Sequence, residues 1–521
     1  MADDQPTIPG GPPTAAEVLD RGLVERPDHG ALVGRHGRYS WRELDAEVNR
    51  AAHALRALGV EPGHRVAVAL PNDVDIVIAF LACMRLGAIW LGVNLVLAAP
   101  EKAYLLRDSG ATVVLAAPTA AAEVLDARAG LPSVERVVLV APGDPADEWR
   151  ARLASSDDSR VVTDIDPHAP AALAYTSGTT GHPKGALHSQ HNLLLPGAVA
   201  RARGQYGDDD RVGVVLPLTL VNLIALGPLL AWQTGATCVA IDRVDAPGLA
   251  AWIRAERVTA ISTVPTIMHA LLTDPAVSPD DLASLRTPGV GGADCPEAFR
   301  ALYRERFGRE VTIGYGLTEA PTAVTMTDPA AAPVPESAGR ALPHVRLVIV
   351  DERDEPLPTG AVGEICVAPA SAGPFAGVYT PMLGYWGQPD ASAEALRGGM
   401  LHTGDLGELD ADGELYVRDR RNDLIIRGGA NVYPAEVERV LHEDARVAAC
   451  AVVGVADERL GERVVAFVET ADGVPVDPDE LRAHCAANLA RYKVPEEIRF
   501  VDAFSRTPMG KIKKPELRAL L

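Results

Sequence analysis

The sequence predicts a mixed fold of α/β and α+β class, with a large N-terminal domain of helix-covered sheets over 14–420 and a small α+β C-terminal domain over 421–521. Strand-like and helical segments alternate to about residue 320, as expected where helices cover largely parallel sheets. Segments of alternating polarity with Pro/Gly turns then predict a β-rich subdomain over 335–420. A chain of 521 residues also exceeds the usual size of a single core.

The first elements follow a short N-terminal segment. Residues 1–13 are acidic and rich in Pro and Gly, and we expect a flexible tail. Ser40 and Glu43 have the spacing of a capping box, and apolar residues recur at helical spacing after them. The run RVAVAL at 65–70 predicts a buried strand. A helix is expected over 73–86.

The later elements are indicated by turn and capping residues. Asp412 and Gly413 lie between alternating residues and predict a hairpin. Pro434 is expected at the first position of a helix. Asp477 and Pro478 are expected to open another helix. The segments VAACAVVGVA and RVVAFVET between these helices predict strands, which gives the C-terminal region its α+β character.

Composition excludes several classes of partner. The chain has 49 Lys and Arg against 70 Asp and Glu, a net charge of −21, which disfavours nucleic acid or an anionic membrane. Its six cysteines are scattered without a C-x-x-C pair, so neither a zinc cage nor a disulfide framework is indicated. The sequence shows no signal peptide and no apolar stretch long enough to span a bilayer. We therefore expect a cytoplasmic protein without a transmembrane segment. The sequence does not indicate its oligomeric state.

The stretch AYTSGTTGHPKGA at 174–186 has the composition of a phosphate-binding loop. Glycine allows backbone N–H groups to approach an anion closely, and hydroxyl and ammonium groups add donors. A Gly-rich surface turn is the plain structural alternative. The order of residues is not that of a Walker loop, because glycine follows the lysine. The candidate phosphate-binding residues are Thr176, Ser177, Gly178, Thr179, Thr180, Gly181 and Lys184.

Further motifs follow in order along the chain. They are GYGLTE at 314–319, MLGYWGQPDASAEAL at 382–396, HTGDLG at 402–407, DRRNDLIIRGGANVYPAEVE at 419–438, RYKVPEEIRFV at 491–501 and RTPMGKIKKPELR at 506–518. Their combination resembles the adenylate-forming superfamily, which includes acyl-CoA synthetases, nonribosomal-peptide adenylation domains and luciferases. The resemblance runs from about residue 15 to the end of the chain. It implies an N-terminal domain of two helix-covered sheets, hinged to a mobile C-terminal domain.

The resemblance also implies a two-step ligase reaction. A carboxylate attacks the α-phosphate of ATP and releases pyrophosphate, and the thiol of coenzyme A then displaces AMP to give a thioester. ATP, Mg²⁺ and coenzyme A are the implied cofactors and co-substrates. A freestanding enzyme that loads an acyl group onto a carrier protein in trans is the alternative. The acid stays open among short, alicyclic, aryl and fatty acids.

The resemblance assigns roles to residues of the N-terminal domain. Glu319 is implied as the magnesium ligand, Thr318 as a phosphate contact and Tyr315 as the ring that stacks on adenine. The segment GVGGADC at 289–295 is implied to line the other face of adenine and the acyl pocket, through Gly291, Gly292 and Ala293. Asp405 is implied to accept both ribose hydroxyls, and Arg420 to face the ribose and phosphates.

The C-terminal domain is implied to supply the catalytic lysine. Lys511, in PMGKIKK, would contact both the attacking carboxylate and the α-phosphate, whereas an ordinary basic tail is the structural alternative. Gly428 and Gly429 would face the pantetheine path of coenzyme A. The hinge is implied near Asn422, where members of the superfamily usually carry Asp or Lys. The Asn departs from that pattern but tolerates unusual backbone angles.

The sequence departs from the superfamily at the acyl pocket. In LPLTLVN at 216–222, Thr219 replaces the usual aromatic residue and Leu220 the usual histidine. Asp294 stands where an apolar residue or proline is common, and Gly316 is the remaining pocket candidate. We expect these changes to reshape the acyl pocket, although Thr219 and Leu220 also suit ordinary core packing. A nucleotide sensor without turnover is disfavoured, because all the implied catalytic residues are present.

Overall fold

A computed structural model describes most of the chain. The described residues are 5–97, 99–144, 147–176, 183–291, 297–328, 331–332, 334–420, 425–427, 430–432, 434–457, 460–471, 476–489, 491–507 and 512–521. Contacts divide the chain into two compact units. Unit 1 comprises residues 1–347 and 367–401, and unit 2 comprises 348–366 and 402–521. The boundary expected at residue 420 and the flexible tail over 1–13 stay predictions.

Helices and strands alternate through the first 320 residues. The α-helices are α1 Asp20–Glu25, α2 Trp41–Ala57, α3 Val74–Leu86, α4 Ala99–Ser109, α5 Pro118–Asp126, α6 Glu148–Ser155, α7 Gln190–Ala202, α8 Val221–Ile224, α9 Leu230–Thr234, α10 Ala246–Glu256, α11 Pro265–Thr273, α12 Glu297–Phe307, α13 Pro389–Ala395, α14 Pro434–His442, α15 Pro478–Asn488 and α16 Lys514–Arg518. Short 3₁₀ turns occupy Ala15–Glu17, Arg128–Gly130, Pro279–Leu282, Arg397–Gly399 and Arg491–Lys493. A π-helical turn at Ala225–Leu229 joins α8 to α9 around Pro228, which lacks a backbone N–H.

The strands form extended sheets in each part of the chain. They are β1 Gly30–Gly34, β2 Gly37–Ser40, β3 Arg65–Ala69, β4 Ile89–Gly92, β5 Val113–Ala116, β6 Arg136–Leu139, β7 Pro170–Thr176, β8 Lys184–Ser189, β9 Arg211–Val214, β10 Thr237–Ala240, β11 Ala260–Thr263, β12 Thr287–Gly291, β13 Thr312–Tyr315, β14 Thr325–Met326, β15 Arg340–Ala341, β16 Val345–Val350, β17 Gly363–Pro369, β18 Gly384–Tyr385, β19 Leu401–Leu409, β20 Leu415–Arg420, β21 Ile425–Arg427, β22 Ala430–Val432, β23 Val447–Asp457, β24 Gly461–Thr470 and β25 Glu497–Phe500.

Unit 1 contains two large sheets. One has the order β15-β14-β13-β12-β11-β9-β10-β1-β2, and its strands from β13 to β1 are parallel. The other has the order β18-β8-β7-β4-β3-β5-β6, with β8 and β18 antiparallel to their neighbours. Both sheets contribute side chains to one hydrophobic cluster, which also includes α2 and α3. Every residue of α3 is buried, including the charged Asp75 and Arg85, which form ion pairs with Arg150 and Asp45.

The capping residues predicted from the sequence are present. Ser40 and Glu43 form the reciprocal hydrogen bonds of a capping box at the start of α2. Helix α3 begins after the N-cap Asp73 and ends at Gly87, whose φ is +66°. Because both signals involve residues close in sequence, local chemistry is sufficient to fix these helix ends.

Unit 2 contains the α+β region predicted at the C-terminus. Strands β22-β21-β24-β23 form a sheet, and β25 pairs with β24. Helices α14 and α15 pack against the sheet through a buried apolar cluster. Pro434 and Pro478 each occupy the first helical position, as predicted. A separate sheet has the order β16-β17-β19-β20, and Gly413, with φ +80°, lies in the predicted turn between β19 and β20.

Candidate active site

Several parallel strands of the first sheet end at the same edge. Strands β9, β11, β12 and β13 run parallel, so the segments that follow them leave from one side of the sheet. These segments begin after Val214, Thr263, Gly291 and Tyr315. In open α/β sheets, ligands bind at the carboxyl ends of the strands. Many of the residues singled out in the sequence follow these strand ends.

The candidate phosphate loop connects two antiparallel strands. Thr176, at the end of β7, pairs directly with Lys184, at the start of β8. The loop residues Ser177, Gly178, Thr179, Thr180 and Gly181 lie outside the described residues. This pairing places Thr176 and Lys184 side by side at the loop end of the β7–β8 hairpin.

Hydrogen bonds from neighbouring elements hold the loop end of this hairpin in place. The Tyr175 hydroxyl donates to Asp108 Oδ2 at 2.6 Å, and the Tyr104 hydroxyl donates to the carbonyl of Pro183 at 3.1 Å. Burial, followed by the interaction with Asp108, raises the pKa of Tyr175, so its hydroxyl remains a donor. Helix α4, which carries Tyr104 and Asp108, thereby holds both arms of the hairpin.

Glu319 is the carboxylate of this part of the site. Its Oε1 accepts hydrogen bonds from the Tyr385 hydroxyl at 3.0 Å and from Thr176 Oγ1 at 3.4 Å. Its backbone carbonyl accepts from the N–H of Met382 at 2.8 Å. The structure therefore brings together two predicted residues, Glu319 and Thr176, and adds Tyr385, which the sequence analysis did not single out.

Lys184 also contacts Tyr385. Its ammonium nitrogen lies 5.3 Å from the centroid of the Tyr385 ring, within the range of a cation–π contact. Lys184, Tyr385, Glu319 and Thr176 thus form a connected cluster, which we call the phosphate-side cluster. It combines a cation, hydroxyl groups and a carboxylate, the donor and acceptor types that a metal–polyphosphate ligand requires.

The adenine-side candidates lie on adjacent strand ends. Gly291 ends β12 and pairs in parallel with Gly314, next to Tyr315. Gly316 follows β13, and a Cβ at Gly316 would lie 2.5 Å from the carbonyl oxygen of Thr322. Only glycine therefore fits this close approach. Tyr315 is half-buried, as is Thr318 three residues further along the chain.

The segment predicted to line the acyl pocket is held by Asn72. The Asn72 side-chain amide donates to the carbonyl of Leu216 at 2.9 Å and accepts from the N–H of Leu218 at 2.7 Å. Thr219 is buried, and its carbonyl oxygen would lie 1.9 Å from a Cβ placed on Gly92. Leu220 is half-buried and precedes α8. The side chains that replace the usual aromatic residue and histidine thus sit on a fixed backbone.

Asp405 lies in unit 2, on a tightly held part of β19. Its N–H donates to Thr403 Oγ1 at 3.1 Å, and the Thr403 hydroxyl donates to the carbonyl of Ile365 at 2.7 Å. Gly404 has a φ of +70°, and its N–H donates to Glu364 Oε1 at 3.1 Å. Glu364 is thus a support for this turn that the sequence analysis missed.

Three buried side chains contact one another next to the turn that leads into Asp405. His402 Nδ1 is 3.1 Å from Glu364 Oε2, and Cys366 Sγ is 3.3 Å from the same nitrogen. Because Glu364 contacts both His402 and the turn at Gly404, these contacts connect the ends of β17 and β19. Arg420 pairs with Asp405 across β19 and β20, as neighbouring positions of one hairpin.

The C-terminal candidates fall mainly outside the described residues. These are Lys511, Asn422, Gly428 and Gly429, together with Gly292, Ala293 and Asp294 of unit 1. The chain on either side of Lys511 is described: Arg506 and Ile512 form an antiparallel bridge, and the N–H of Lys513 donates to the carbonyl of Ser505 at 3.0 Å. Lys514 then forms an ion pair with Glu438 at 3.0 Å.

No membrane-spanning element occurs in the part of the chain that the structure describes, where no helix is both long and apolar enough to cross a bilayer. The described cysteines are buried thiols: Cys83, Cys238, Cys366, Cys450 and Cys485. Burial raises the pKa of Cys83 and Cys238 above the usual thiol range, so neither is poised as a nucleophile.

Two family profiles match the chain. The profile of the AMP-binding enzyme matches residues 19–386, and that of the AMP-binding enzyme C-terminal domain matches residues 436–511. The first covers both large sheets of unit 1 and the phosphate-side cluster. The second covers the C-terminal region from α14 to Lys511.

Curated relatives and solved structures match over almost the whole chain. A feruloyl-CoA synthase from an Amycolatopsis species is 38% identical over 495 residues, 94% of this chain and 95% of the relative. A fatty acid–[acyl-carrier-protein] ligase, ScoC, from Streptomyces coeruleorubidus is 36% identical over 490 residues, 92% of this chain and 91% of the relative. The crystal structure of the anthranilate CoA ligase AuaEII in complex with anthranoyl-AMP has a TM-score of 0.88, 26% identity and 97% coverage of each chain.

Proposed function

We propose, from the premise that this chain belongs to the AMP-binding enzyme family, that its phosphate-side cluster holds the triphosphate of ATP while a carboxylic acid attacks it. The chain is an AMP-forming acid–thiol ligase, and its predicted fold class is confirmed. The observation that carries the proposed site is the joining of Lys184, Tyr385, Glu319 and Thr176 at the mouth of one hairpin.

The reaction proceeds in two steps. A carboxylate oxygen attacks the α-phosphorus of ATP, and the bond from that phosphorus to the β-phosphate oxygen breaks, so that pyrophosphate leaves with the electron pair. The thiol of coenzyme A then loses its proton, its sulfur bonds to the acyl carbon, and AMP leaves. The first attack brings an anionic carboxylate to the negatively charged triphosphate, and the second expels AMP as an anion. Positive groups and fixed orientation therefore lower the barriers.

We propose that Lys184 contacts the phosphates, that Thr176 contributes to phosphate binding as the first residue of the loop segment, and that Glu319 holds a magnesium ion. The donor set fits this cation, because Mg²⁺ prefers oxygen ligands and, among the described residues, both hydroxyl contacts to Glu319 are made to Oε1 and not to its second oxygen. When bound, the ion neutralises phosphate charge. The protein groups orient the triphosphate and exclude alternative arrangements of its oxygens. Thr318, Tyr315, Gly291 and Gly316 are the proposed phosphate, adenine and pocket contacts.

We propose that Asp405 accepts hydrogen bonds from the two ribose hydroxyls. It is only 8% exposed, and the hydrogen bonds of its own N–H to Thr403 and of the Gly404 N–H to Glu364 hold the backbone that leads into it. A carboxylate with two acceptor oxygens matches a vicinal diol. Arg420, its partner across the hairpin, is the proposed ribose- and phosphate-side arginine.

Asp405→Ala is expected to weaken ATP use without changing the ranking of acids. A hydrogen bond to a charged group contributes about 1.5–3 kcal/mol, so kcat/KM for ATP should fall by roughly 10- to 100-fold. The measurement is pyrophosphate release with ATP and with 2′-deoxy-ATP. The wild-type protein should prefer ATP to 2′-deoxy-ATP, and this preference should largely disappear in the variant. An unchanged preference would contradict the ribose contact.

For the C-terminal domain, we propose that Lys511 stabilises charge during adenylation, that Gly428 and Gly429 line the pantetheine path and that Asn422 is the hinge. Support for the lysine comes from the chain around it. Arg506 and Ile512, which flank the segment that carries Lys511, form an antiparallel bridge, and Lys514 pairs with Glu438. A reducing cytoplasm is the proposed location, which suits the buried thiols among the described residues.

We propose that the acid is an aryl carboxylic acid. A feruloyl-CoA synthase and an anthranilate CoA ligase are among the similar proteins, and both are named for aromatic acids. Thr219 is buried and smaller than the aromatic residue usual at this position, and we propose that the difference in size accommodates a ring on the substrate. The test is pyrophosphate release with a panel of short, alicyclic, aryl and fatty acids. An aryl acid should give the highest kcat/KM. If a fatty acid gave the highest value, the proposal of an aryl substrate would be wrong.

Leu220→His tests the pocket assignment separately from the nucleotide site. Restoring the histidine usual in the superfamily should change the ranking of acids by about tenfold, because pocket side chains discriminate substrates by that order. The KM for ATP should stay close to that of the wild type. Steady-state kinetics with two aryl acids and one fatty acid measure both quantities. Equal effects on acid and ATP would place Leu220 outside the pocket.

A carrier protein is the alternative acceptor. ScoC, named as a fatty acid–[acyl-carrier-protein] ligase, is 36% identical to this chain, which is the specific observation that favours it. Mass spectrometry after incubation with coenzyme A, or with a phosphopantetheinylated carrier protein, separates the two acceptors. Acyl-CoA is the expected product, and acylated carrier in the absence of acyl-CoA would favour the alternative.

A further inference from the structure

The segment 382–386 ties Glu319 to the strand that follows the phosphate loop. The N–H of Met382 donates to the carbonyl of Glu319 at 2.8 Å, and the N–H of Trp386 donates to the carbonyl of Gly185 at 2.8 Å. Between these bonds, β18 pairs with β8 in antiparallel register. The backbone therefore fixes the position of Tyr385 relative to both the carboxylate and the loop.

The Tyr385 side chain contacts the two charged groups of the cluster. Its hydroxyl donates to Glu319 Oε1 at 3.0 Å, and its ring lies 5.3 Å from the ammonium nitrogen of Lys184. A tyrosine hydroxyl is protonated at neutral pH, so it donates to the Glu319 carboxylate.

The hydroxyl contacts act on a single oxygen of Glu319. Tyr385 and Thr176 both donate to Oε1, from opposite parts of the chain. A carboxylate has two oxygens with lone pairs, so fixing one of them orients the other. Ligands of a cation with strict octahedral preferences benefit from such orientation, because Mg²⁺ tolerates little deviation from its geometry.

We propose that Tyr385, with support from Thr176, is a positioning residue that orients the Glu319 carboxylate for the divalent cation of ATP. This inference rests on the proposed function and goes beyond it, since it assigns a role to a tyrosine that does not itself touch the reacting atoms. Its ring also limits the positions open to the Lys184 side chain. One residue thereby sets the geometry of both charged groups.

The test is the gain in ATP affinity that Mg²⁺ confers, measured by isothermal titration calorimetry in the absence of any acid. ATP is titrated into the full-length protein once with Mg²⁺ and once with a chelator. In Tyr385→Phe, which keeps the ring over Lys184, the Mg²⁺-dependent gain should fall roughly tenfold, as expected for a lost hydrogen bond to a charged group. Affinity for ATP without Mg²⁺ should not change.

Tyr416→Phe is the matched control. This variant removes a tyrosine hydroxyl that donates to Asp410 Oδ2 at 3.1 Å, a tyrosine–carboxylate bond that does not involve Glu319, Thr176 or Lys184. It should preserve the Mg²⁺-dependent gain even if it lowers the melting temperature. An equal loss in both variants, or no loss in Tyr385→Phe, would overturn the proposal.

A double-variant cycle identifies the route of the effect. In a Glu319→Gln background, Tyr385→Phe should cause no further loss of the Mg²⁺-dependent gain, because the residue acts through that carboxylate. Additive losses would reject the positioning role. Should Tyr385→Phe fail to fold, Thr176→Val removes the longer hydroxyl contact to the same oxygen and should cause a smaller loss, whereas no loss would count against the proposal.

The calorimetric result stands apart from the proposed activity. If no acid yields AMP but Tyr385→Phe loses the Mg²⁺-dependent gain, the proposed function fails and the positioning role survives. If the wild type forms AMP and the variant keeps the full gain, only the positioning role fails.

Discussion

Lys511→Ala is expected to lower the rate of acyl-adenylate formation on the order of a hundred- to a thousandfold, the range seen when one preorganised donor to a developing charge is removed. Pyrophosphate release from ATP and an aryl acid measures this first step. The variant should still form the thioester when it is supplied with the acyl-adenylate and coenzyme A. We expect the loss to be confined to the first step, because Lys511 is proposed to contact the attacking carboxylate and the α-phosphate during that step.

Lys513→Ala is the control for Lys511. Lys513 lies two residues further along the same basic run, and its side chain is 38% exposed and paired with Glu516 at 3.2 Å. An exposed ion pair contributes little, so this variant should retain nearly the full rate of both steps. The comparison separates a specific ammonium group from the general charge of the C-terminus.

The two half-reactions decide between roles for Lys511. If the variant loses both steps to the same extent, the lysine serves the fold or a contact common to both. If neither step changes, the lysine is part of an ordinary basic tail. Only loss of adenylation with retention of thioester formation supports the proposed division.

The parts of the fold that could be predicted are those that local residues determine. Ser40 and Glu43 satisfy each other at the start of α2, and Gly413 supplies the positive φ of the turn after β19. Such signals need only a few neighbouring residues. The order of strands in the sheets has no comparable local signal, since it depends on pairing between segments far apart in the chain.

The same distinction applies to the site. Glu319 was predicted as a ligand because it lies in a motif, but its contact with Tyr385 spans 66 residues and arises from the pairing of β18 with β8. The motif at 382–396 contained the tyrosine, but no neighbouring residue in the chain indicates that its hydroxyl contacts Glu319. The sequence predicted less about the acyl pocket, because the position of Thr219 depends on its close approach to Gly92, which is distant in the chain.

The residues that hold the turn before Asp405 could not be predicted from the sequence either. Glu364 lies in a different strand, and nothing near it in the chain indicates that it holds Gly404 and His402. A carboxylate at a strand start is usually solvated. Its burial becomes visible only when β17 and β19 are adjacent. Roles that depend on a neighbour of this kind require the structure, whereas roles carried by a contiguous motif do not.

Glu319→Gln is expected to lower acyl-adenylate formation by about a hundredfold or more, because the substitution removes both a negative charge and a cation ligand. The surrounding contacts make this variant informative. Tyr385 and Thr176 both donate to Oε1, so the amide oxygen of the glutamine should occupy that place. The amide NH₂ then takes the position proposed to face the cation, and a donor group does not bind a cation.

The metal dependence of the Glu319 variants distinguishes a ligand from a structural residue. Glu319→Asp keeps the charge on a shorter side chain, so raising the Mg²⁺ concentration should recover part of its pyrophosphate release, whereas Glu319→Gln should respond little. Glu305→Gln, on the exposed face of α12, serves as the control and should follow the wild type at every Mg²⁺ concentration. If Glu319→Gln kept the wild-type Mg²⁺ response, the carboxylate would not be the ligand, and the hydroxyl contacts to it would serve only to hold the chain.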